Sequence, residues 1–158
     1  MNDLHSSPFL RPPLNVLQIL FPNQNFSELH ANSLNAQLLA DMQQYTLSVA
    51  NKVTSSMVKQ AHLKRFVCQN TMPDDKRYYE QIIFEDDVIP TRKESWHDFF
   101  NGIIWLRFPQ TKAYLNELHI AEINAHGLNP RTKVRNHITH FDECGIVLFV
   151  RGETLYSR

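Results

Sequence analysis

The sequence is poor in the features that identify many enzyme families. It contains only four glycines in 158 residues, and it has no glycine-rich phosphate loop and no GxGxxG pattern. The GxSxG and HExxH motifs are absent as well. No nucleotide-binding loop, serine-hydrolase elbow or zincin-type metal site is therefore predicted, and a function has to be inferred from scattered polar residues.

Cysteine is also scarce. Cys68 and Cys144 lie far apart and form no CxxC pair, which excludes a thiolate zinc motif and a disulfide framework as predictions. Because no residue pattern requires an oxidising compartment, the sequence predicts a reduced, cytoplasmic setting. Residues 1–22 lack a basic n-region and are interrupted by prolines, so we expect no secretory signal there.

Net charge and long hydrophobic runs are missing too. Lys+Arg and Asp+Glu number 16 each, which gives no strong nucleic-acid signal. No window approaches the roughly 20 apolar residues of a membrane span. The remaining partners are another protein or a second copy of the chain. With 42% apolar and 20% charged residues, the chain has a globular composition and the length of one domain.

The hydrophobic pattern predicts an α+β fold that is mainly helical. Residues 1–26 are expected to form an irregular lead-in with a short helix over Leu14–Phe21, and residues 27–158 a single α+β domain. Apolar residues at helical spacing predict a helix that starts after Ser27 or Ser33 and ends near Tyr45. Residues 46–61 are ambiguous.

The β-prone segments predict a small antiparallel sheet. They are Leu63–Gln69, the run from Tyr78 to Pro90, and a C-terminal β-hairpin in which HITHF and IVLFV flank the turn DECG. In that turn Asp142 takes the first position, although a hairpin tip also suits a carboxylate that reaches a neighbouring site.

A central, buried αα-hairpin is predicted over residues 95–126. Two helices are separated by Phe108-Pro109-Gln110, and Gly127 stands where a helix C′ glycine belongs. The first helix is apolar on nearly all sides, which is typical of a buried helix. His97 and Asn101 share an edge of it, so we expect both to be buried and to need polar partners.

The second helix supplies such partners. Lys112, Asn116 and His119 recur on one of its faces. If the two helices pack antiparallel, His97, Asn101, Asn116 and His119 meet in one polar seam, which is the central geometric prediction from the sequence. The level of each residue along the helices is better determined than its rotation.

Several of these residues also have purely structural interpretations. Ser95-x-x-Asp98 is a capping-box pattern. Gly102, unfavourable in a helix interior, indicates close packing or a functional site. Arg92, with Lys112, suits an anion pocket at helix N-termini, but a solvated basic loop is the favoured interpretation of the sequence around it.

These residues carry a resemblance to a known family. The segments YEQII at 79–83, PTR at 90–92, WHDFFN at 96–101, WLRFPQTKAYLNELH at 105–119 and FDECG at 141–145 resemble the bacterial proteins grouped as domain of unknown function 3025. The resemblance covers roughly residues 63–150 and implies membership without an activity. It places the family signature on His97, Asp98, Asn101, Lys112, Asn116, His119, Asp142 and Glu143. Members are expected to continue with a further helical segment, so the resemblance also implies a C-terminally shortened member.

Two functions remain open from the sequence. The favoured one is a non-catalytic binding or interaction domain in which a His/Asn network fixes helix packing. The alternative is a hydrolase of the phosphoester type, with or without a metal ion, in which Arg92 or Lys112 holds an anionic group. Its candidate catalytic residues are His97, Asp98, Asn101, Asn116, His119 and Asp142. In the metal version His97, His119 and Asp142 hold a divalent ion, for which zinc, manganese and iron fit equally.

Overall fold

The computed structural model describes residues 8–53 and 63–145. Most of these residues are helical, and short 3-10 turns connect several of the elements. The elements are α1 (Val16–Leu20), α2 (Ala36–Val53), β1 (Arg65–Cys68), α3 (Tyr79–Asp86), β2 (Val88–Thr91), α4 (Trp96–Arg107), α5 (Pro109–His126) and α6 (Lys133–Cys144). The prediction of a mainly helical fold with a small sheet is confirmed.

The sheet corrects the predicted strand arrangement. Strands β1 and β2 pair in parallel, with Phe66 opposite Ile89 and Cys68 opposite Thr91. An antiparallel sheet was predicted, but a helix separates the two strands in sequence. Such a crossover returns the chain in the same direction, whereas a tight turn would reverse it. Among the described residues the sheet contains these two strands alone.

Helix α3 replaces part of a predicted strand. Its first turn is held by Gln81, whose Oε1 accepts from the Tyr78 backbone N–H at 3.0 Å. It buries Ile82 and Ile83 and ends at Asp87, which adopts a left-handed conformation with φ 55°. The segment that contains Ile82 and Ile83 is therefore a helix. The Gln81 side chain, at the third helical position, satisfies a backbone N–H at the helix N-terminus.

Helix α6 replaces the first strand and the turn of the predicted C-terminal hairpin. The Thr132 side chain accepts from the Arg135 backbone N–H at 3.1 Å and caps the helix. Arg135 and Ile138, three residues apart, are both buried, as a helical period requires. The alternation of apolar and polar residues in HITHF is too short to distinguish the period of a strand from that of a helix. The predicted second strand, IVLFV, lies outside the described residues.

Helix α2 begins later and continues further than predicted. Asn35, rather than Ser27 or Ser33, accepts from the Leu38 backbone N–H at 2.9 Å. The helix then runs through Val53, into the segment that the sequence left ambiguous. The short helix predicted over Leu14–Phe21 is present as α1.

The core forms where α2 crosses α4. Gly102 is buried, and a Cβ added to it would lie 2.5 Å from Leu39 Cδ1, so the glycine permits close approach of the two helices. Phe9, Phe21 and Phe99 belong to the same buried cluster as Leu39. Residues before position 26 thus contribute to this core, and the predicted domain boundary after residue 26 stays a prediction.

The predicted break between α4 and α5 is present, but a single residue joins the two helices, and Pro109 and Gln110, predicted to lie in the break, belong to α5. Phe108 leaves the helical conformation, and Pro109 occupies the first position of α5. Gly127 ends α5 with φ 78°. None of the helices in residues 8–53 and 63–145 combines the length and the apolarity that a bilayer crossing requires.

Candidate functional site

A cleft of about 690 Å³ opens between α3, α4, α5 and α6. Helix α5 contributes three polar side chains to its wall, because its buried face carries Lys112, Asn116 and His119. Six of the residues selected from the sequence line this cleft: His97, Asn101, Lys112, Asn116, His119 and Asp142. The arrangement therefore brings together side chains from three consecutive helices, α4, α5 and α6.

The Lys112 ammonium group is the centre of the polar wall. It donates to both carboxylate oxygens of Asp142, at 2.7 and 2.6 Å, and to Asn101 Oδ1 at 2.9 Å. The Nζ atom also lies 5.3 Å from the centre of the Trp105 ring. Three hydrogen bonds use all three ammonium protons, so this cation is fully compensated.

Asn101 connects this ion pair to α3. Its Nδ2 lies 3.4 Å from the Tyr79 hydroxyl, a long hydrogen bond. Burial of the hydroxyl, together with the negative charge of Asp98, raises the pKa of Tyr79 well above its ordinary value. The phenol is therefore protonated at neutral pH and retains a proton to donate.

Asn116 lies deeper in the cleft. Its Nδ2 donates to the Glu80 backbone carbonyl at 2.9 Å, which fixes the orientation of the amide because only the nitrogen can donate there. Its Oδ1 is buried without a hydrogen-bond partner among the described residues. The amide therefore presents an acceptor that is held in place by its other end.

Glu80 belongs to the same wall. Its Oε2 is buried without a partner in the described part of the chain. Burial raises the pKa of the Glu80 carboxyl, and the positive charges of Arg131 and Arg135 oppose that shift. A carboxyl in this state exchanges its proton at a higher pH than an exposed glutamate does.

His119 is buried, as a member of the predicted seam should be, and its Nδ1 has no partner among the described residues. Burial lowers the pKa of the His119 imidazole, and the positive charges of Arg131 and Arg135 lower it further. The imidazole is therefore neutral at physiological pH, with one ring nitrogen able to donate and the other able to accept.

The predicted seam does not form as a direct network. In the part of the chain that the structure describes, no hydrogen bond joins any two of His97, Asn101, Asn116 and His119. Their observed partners come from neighbouring residues, from α3 and from α5. The four side chains share a cleft because the helices surround one space rather than because the side chains bind each other.

The prediction that His97 is buried was wrong. Its side chain is 71% exposed at the rim of the cleft, because Phe99 occupies the inner position of this turn. Asn101, also predicted to be buried, is half-buried. His97 Nδ1 lies 3.0 Å from Asp98 Oδ1.

Asp98 is held by Arg92. The carboxylate accepts from the Arg92 backbone N–H at 2.8 Å and from the guanidinium Nε and Nη2 at 3.0 and 2.7 Å. Although burial alone raises it, these hydrogen bonds keep the pKa of Asp98 well below its usual range. The Ser95 hydroxyl accepts from the Asp98 backbone N–H, which is one half of the predicted capping box. The other half is replaced by the pair with Arg92.

The two predicted anion-binding residues are in different places. Lys112 lines the cleft, whereas Arg92 does not line it and forms its ion pair with Asp98. Both cations have carboxylate partners. The structure therefore does not bring Arg92 and Lys112 together as one anion pocket.

The proposed metal ligands do not form a cluster. Within residues 8–53 and 63–145, no group of three His, Cys, Asp or Glu side chains has the arrangement that holds a metal ion. Both oxygens of Asp142 bind Lys112 instead. A metal held by His97, His119 and Asp142 gains no support from this geometry and stays a prediction.

The sequence interpretation missed Tyr79, Glu80 and Trp105 as site residues. Tyr79 and Glu80 lie in the YEQII segment, which was read as part of a strand, although its occurrence in the family resemblance was a signal. Trp105 belongs to the apolar helix that the sequence predicts to be buried. It is buried, but it lines the cleft, and its Nε1 has no partner among the described residues.

Comparison with known proteins gives one match. No curated protein and no solved structure is significantly similar to the chain. The family described as Protein of unknown function (DUF3025) matches residues 64–158, more than half of the chain. All residues of the cleft named above fall within the matched range. The chain therefore belongs to this family of proteins of unknown function.

Proposed function

We propose that this protein is a binding domain that takes a small organic molecule into the cleft between α3 and α6. The observation that carries the proposal is a set of four buried polar atoms without partners in the described residues. They are Glu80 Oε2, Trp105 Nε1, Asn116 Oδ1 and His119 Nδ1, and all four residues line the same cleft. Buried polar groups are nearly always hydrogen-bonded, and each unpaired one costs about 1–3 kcal/mol.

Two kinds of polar group line the cleft, and they differ in what they can do. The group around Lys112, with Asp142 and Asn101, is satisfied internally and ties α4, α5 and α6 together. The unpaired group on α3, α4 and α5 has hydrogen-bonding capacity to offer. A volume of about 690 Å³ is within the usual range for small-molecule sites. The first group supports the fold, and the second supports a ligand.

Ligand binding can be tested with Trp105 as a reporter. Trp96→Phe removes the other tryptophan, which does not line the cleft, so that Trp105 gives the remaining emission. We expect members of a metabolite library to change this emission and to raise the melting temperature by mass action.

His119→Ala should weaken such binding at least about tenfold, because it removes one of the unpaired atoms. The matched control is His126→Ala, an exposed histidine on the same helix that should leave binding unchanged. If no library member changes emission or melting temperature, or if the two histidine variants weaken binding equally, the proposal is contradicted.

A second candidate is a hydrolase in which His97 acts as a general base. The observation in its favour is the contact between His97 Nδ1 and Asp98, a carboxylate that Arg92 keeps ionised and oriented. A proton on Nδ1 shared with Asp98 leaves Nε2 as the basic nitrogen. Nε2 would take a proton from water as the water oxygen attacks a carbonyl carbon, and would return it to the departing amine or alcohol.

This candidate differs from the binding domain in its kinetic signature. Purified protein would hydrolyse carbonyl esters or amides, and His97→Gln would lower kcat about 100-fold or more. His140→Gln, a change at an exposed histidine outside the cleft, is the control. The absence of turnover, or equal rates for the two variants, would leave the binding domain as the surviving function.

A further inference from the structure

We propose that the cleft selects an uncharged molecule whose apolar ring or chain carries a polar head with both a hydrogen-bond donor and an acceptor, a carboxamide being the simplest such head. This inference rests on the proposed binding function and specifies the class of ligand. It follows from three properties of the cleft: the charges on its wall, the donor or acceptor character of each unpaired atom, and the apolar side chains that also line it.

The wall offers no free cation to an anionic ligand. Among the lining residues described, Lys112 is the cation apart from the histidines, and its three protons are already bound by Asp142 and Asn101. An anion would have to displace a carboxylate that lies 2.6 Å from the ammonium. A phosphate or carboxylate ligand would therefore compete with an existing buried ion pair.

The other charges near the cleft offset each other. Glu80 and Glu143 line it and form no ion pair with a described residue. Arg131 and Arg135 lie behind the wall, and their positive charge reaches both Glu80 and His119. These two arginines donate to neutral groups, which include Tyr78, Thr139 and the Leu128 carbonyl. The resulting environment is close to neutral, which favours an uncharged ligand over either sign.

The unpaired atoms specify a head group of mixed character. Trp105 Nε1 is a donor only, so it requires an acceptor on the ligand. Asn116 Oδ1 is an amide oxygen and therefore accepts only, so it requires a donor, and the Nδ2 hydrogen bond to the Glu80 carbonyl fixes which end of the amide is the oxygen. The neutral His119 ring can pair with either a donor or an acceptor on the ligand. A head with a single function, such as an ether or a carboxylate, would leave one of these groups unpaired.

The cleft also has an apolar lining. It includes Phe100, Ile103, Ile104 and Leu115, and these side chains cannot pair with polar atoms. Phe100 and Ile104 are also partly exposed, which leaves apolar surface available to a ligand. Burial of such surface favours association in proportion to its area. The ligand is therefore amphipathic, with an apolar body beside a polar head.

The test uses four probes of nearly equal size: benzamide, benzoate, benzylamine and toluene. They are titrated into the full-length Trp96→Phe protein, and binding is followed through the Trp105 indole N–H signal in a proton–nitrogen NMR spectrum. We expect benzamide to shift this signal and to bind at least about tenfold more tightly than each of the other three. Asn116→Leu should weaken benzamide binding about tenfold and leave toluene binding unchanged, whereas Asn124→Leu, an exposed position on α5, should alter neither.

The outcomes separate this inference from the proposed function. If benzoate or benzylamine binds as tightly as benzamide, or if toluene does, the ligand class is wrong while ligand binding in the cleft stands. If no probe shifts the Trp105 signal, this inference is overturned. The metabolite library of the previous experiment then decides separately whether the cleft binds anything.

Discussion

Lys112 on α5 and Asp142 on α6 form an ion pair in which one ammonium group donates to both oxygens of one carboxylate. The lysine side chain is 7% exposed and the aspartate 28% exposed. A pair at this depth has lost much of its hydration, so each charge depends on the other. This relationship joins two residues that are 30 positions apart along the chain and forms one end of the candidate site.

The first prediction concerns this pair. Asp142→Ala leaves the Lys112 ammonium buried without a carboxylate and should lower the free energy of unfolding by about 3 kcal/mol, measured by urea denaturation. Glu143→Ala, at the adjacent exposed position, should change it by less than about 0.5 kcal/mol. The double variant Lys112→Met/Asp142→Leu replaces both charges with apolar side chains. It should recover most of the unfolding free energy that Asp142→Ala loses. Equal effects of the substitutions at 142 and 143 would show that the pair contributes nothing.

The second prediction concerns the contact between α2 and α4. Gly102→Ala places a methyl group 2.5 Å from Leu39 Cδ1, within a buried cluster. Overpacking of this kind costs about 1–3 kcal/mol, and the better helix propensity of alanine returns about 1 kcal/mol. We therefore expect a net destabilisation of about 1 kcal/mol by chemical denaturation.

The same contact provides its own control. Leu39→Val shortens the side chain that the methyl group meets, so the double variant should be less destabilised than the sum of the two single changes. Strict additivity would mean that Gly102 and Leu39 are not in the tight contact described above.

The third prediction concerns His119. The pKa of its imidazole is lowered in the folded protein by burial, by Arg131, Arg135 and Lys112, while Asp142 opposes the shift. The unfolded chain therefore binds this proton more readily, and stability is lost as the pH falls below the ordinary histidine pKa of about 6.5 toward the folded value. His119→Gln should flatten this part of the stability profile. NMR titration should place the His119 midpoint below the ordinary histidine pKa of about 6.5.

The fourth prediction concerns Asp98. Its pKa is held below its usual range by Arg92, so its contribution to stability is present above the ordinary aspartate pKa of about 4. That contribution is lost as the pH falls through the folded pKa. Asp98→Asn should lower the melting temperature at pH 7 and reduce the loss of stability below pH 4. Asp74→Asn, which changes an exposed carboxyl, is the control and should preserve the wild-type profile.

Much of the helical architecture could be read from local signals. Pro109 cannot continue α4 but suits the first position of α5, and Gly127 accepts the conformation that ends that helix. The close approach at Gly102 was also indicated by its poor helix propensity. Such signals act within one or two turns of chain, so they require no knowledge of tertiary neighbours.

The strand assignments were less successful for the same reason. The YEQII and HITHF segments contain residues that favour strands, but each became a helix with a side chain completing its N-terminus. Short apolar runs fit both periods, and the choice between them is made by packing against other elements. Here α3 and α6 both pack against α5, which the local pattern does not reveal.

The candidate site shows the same division between what local sequence signals predict and what packing decides. The residue types and the buried face of α5, with Lys112, Asn116 and His119, follow from helical spacing in the sequence. The outward orientation of His97 and the pairing of Arg92 with Asp98 do not follow from the spacing. The spacing also does not predict that Glu80 and Trp105 line the cleft. Rotation of a helix about its own axis is fixed by contacts on all of its sides, and a sequence specifies spacing along the helix far better than rotation around it.

The sequence by itself determined family membership, the break between α4 and α5, and the set of polar residues placed among apolar ones. The tertiary structure decided which of those residues satisfy each other and which remain without partners around a shared cleft. The physical reason is that hydrogen bonds and ion pairs act over about 3 Å, a distance set by how α3, α4, α5 and α6 pack rather than by their order along the chain.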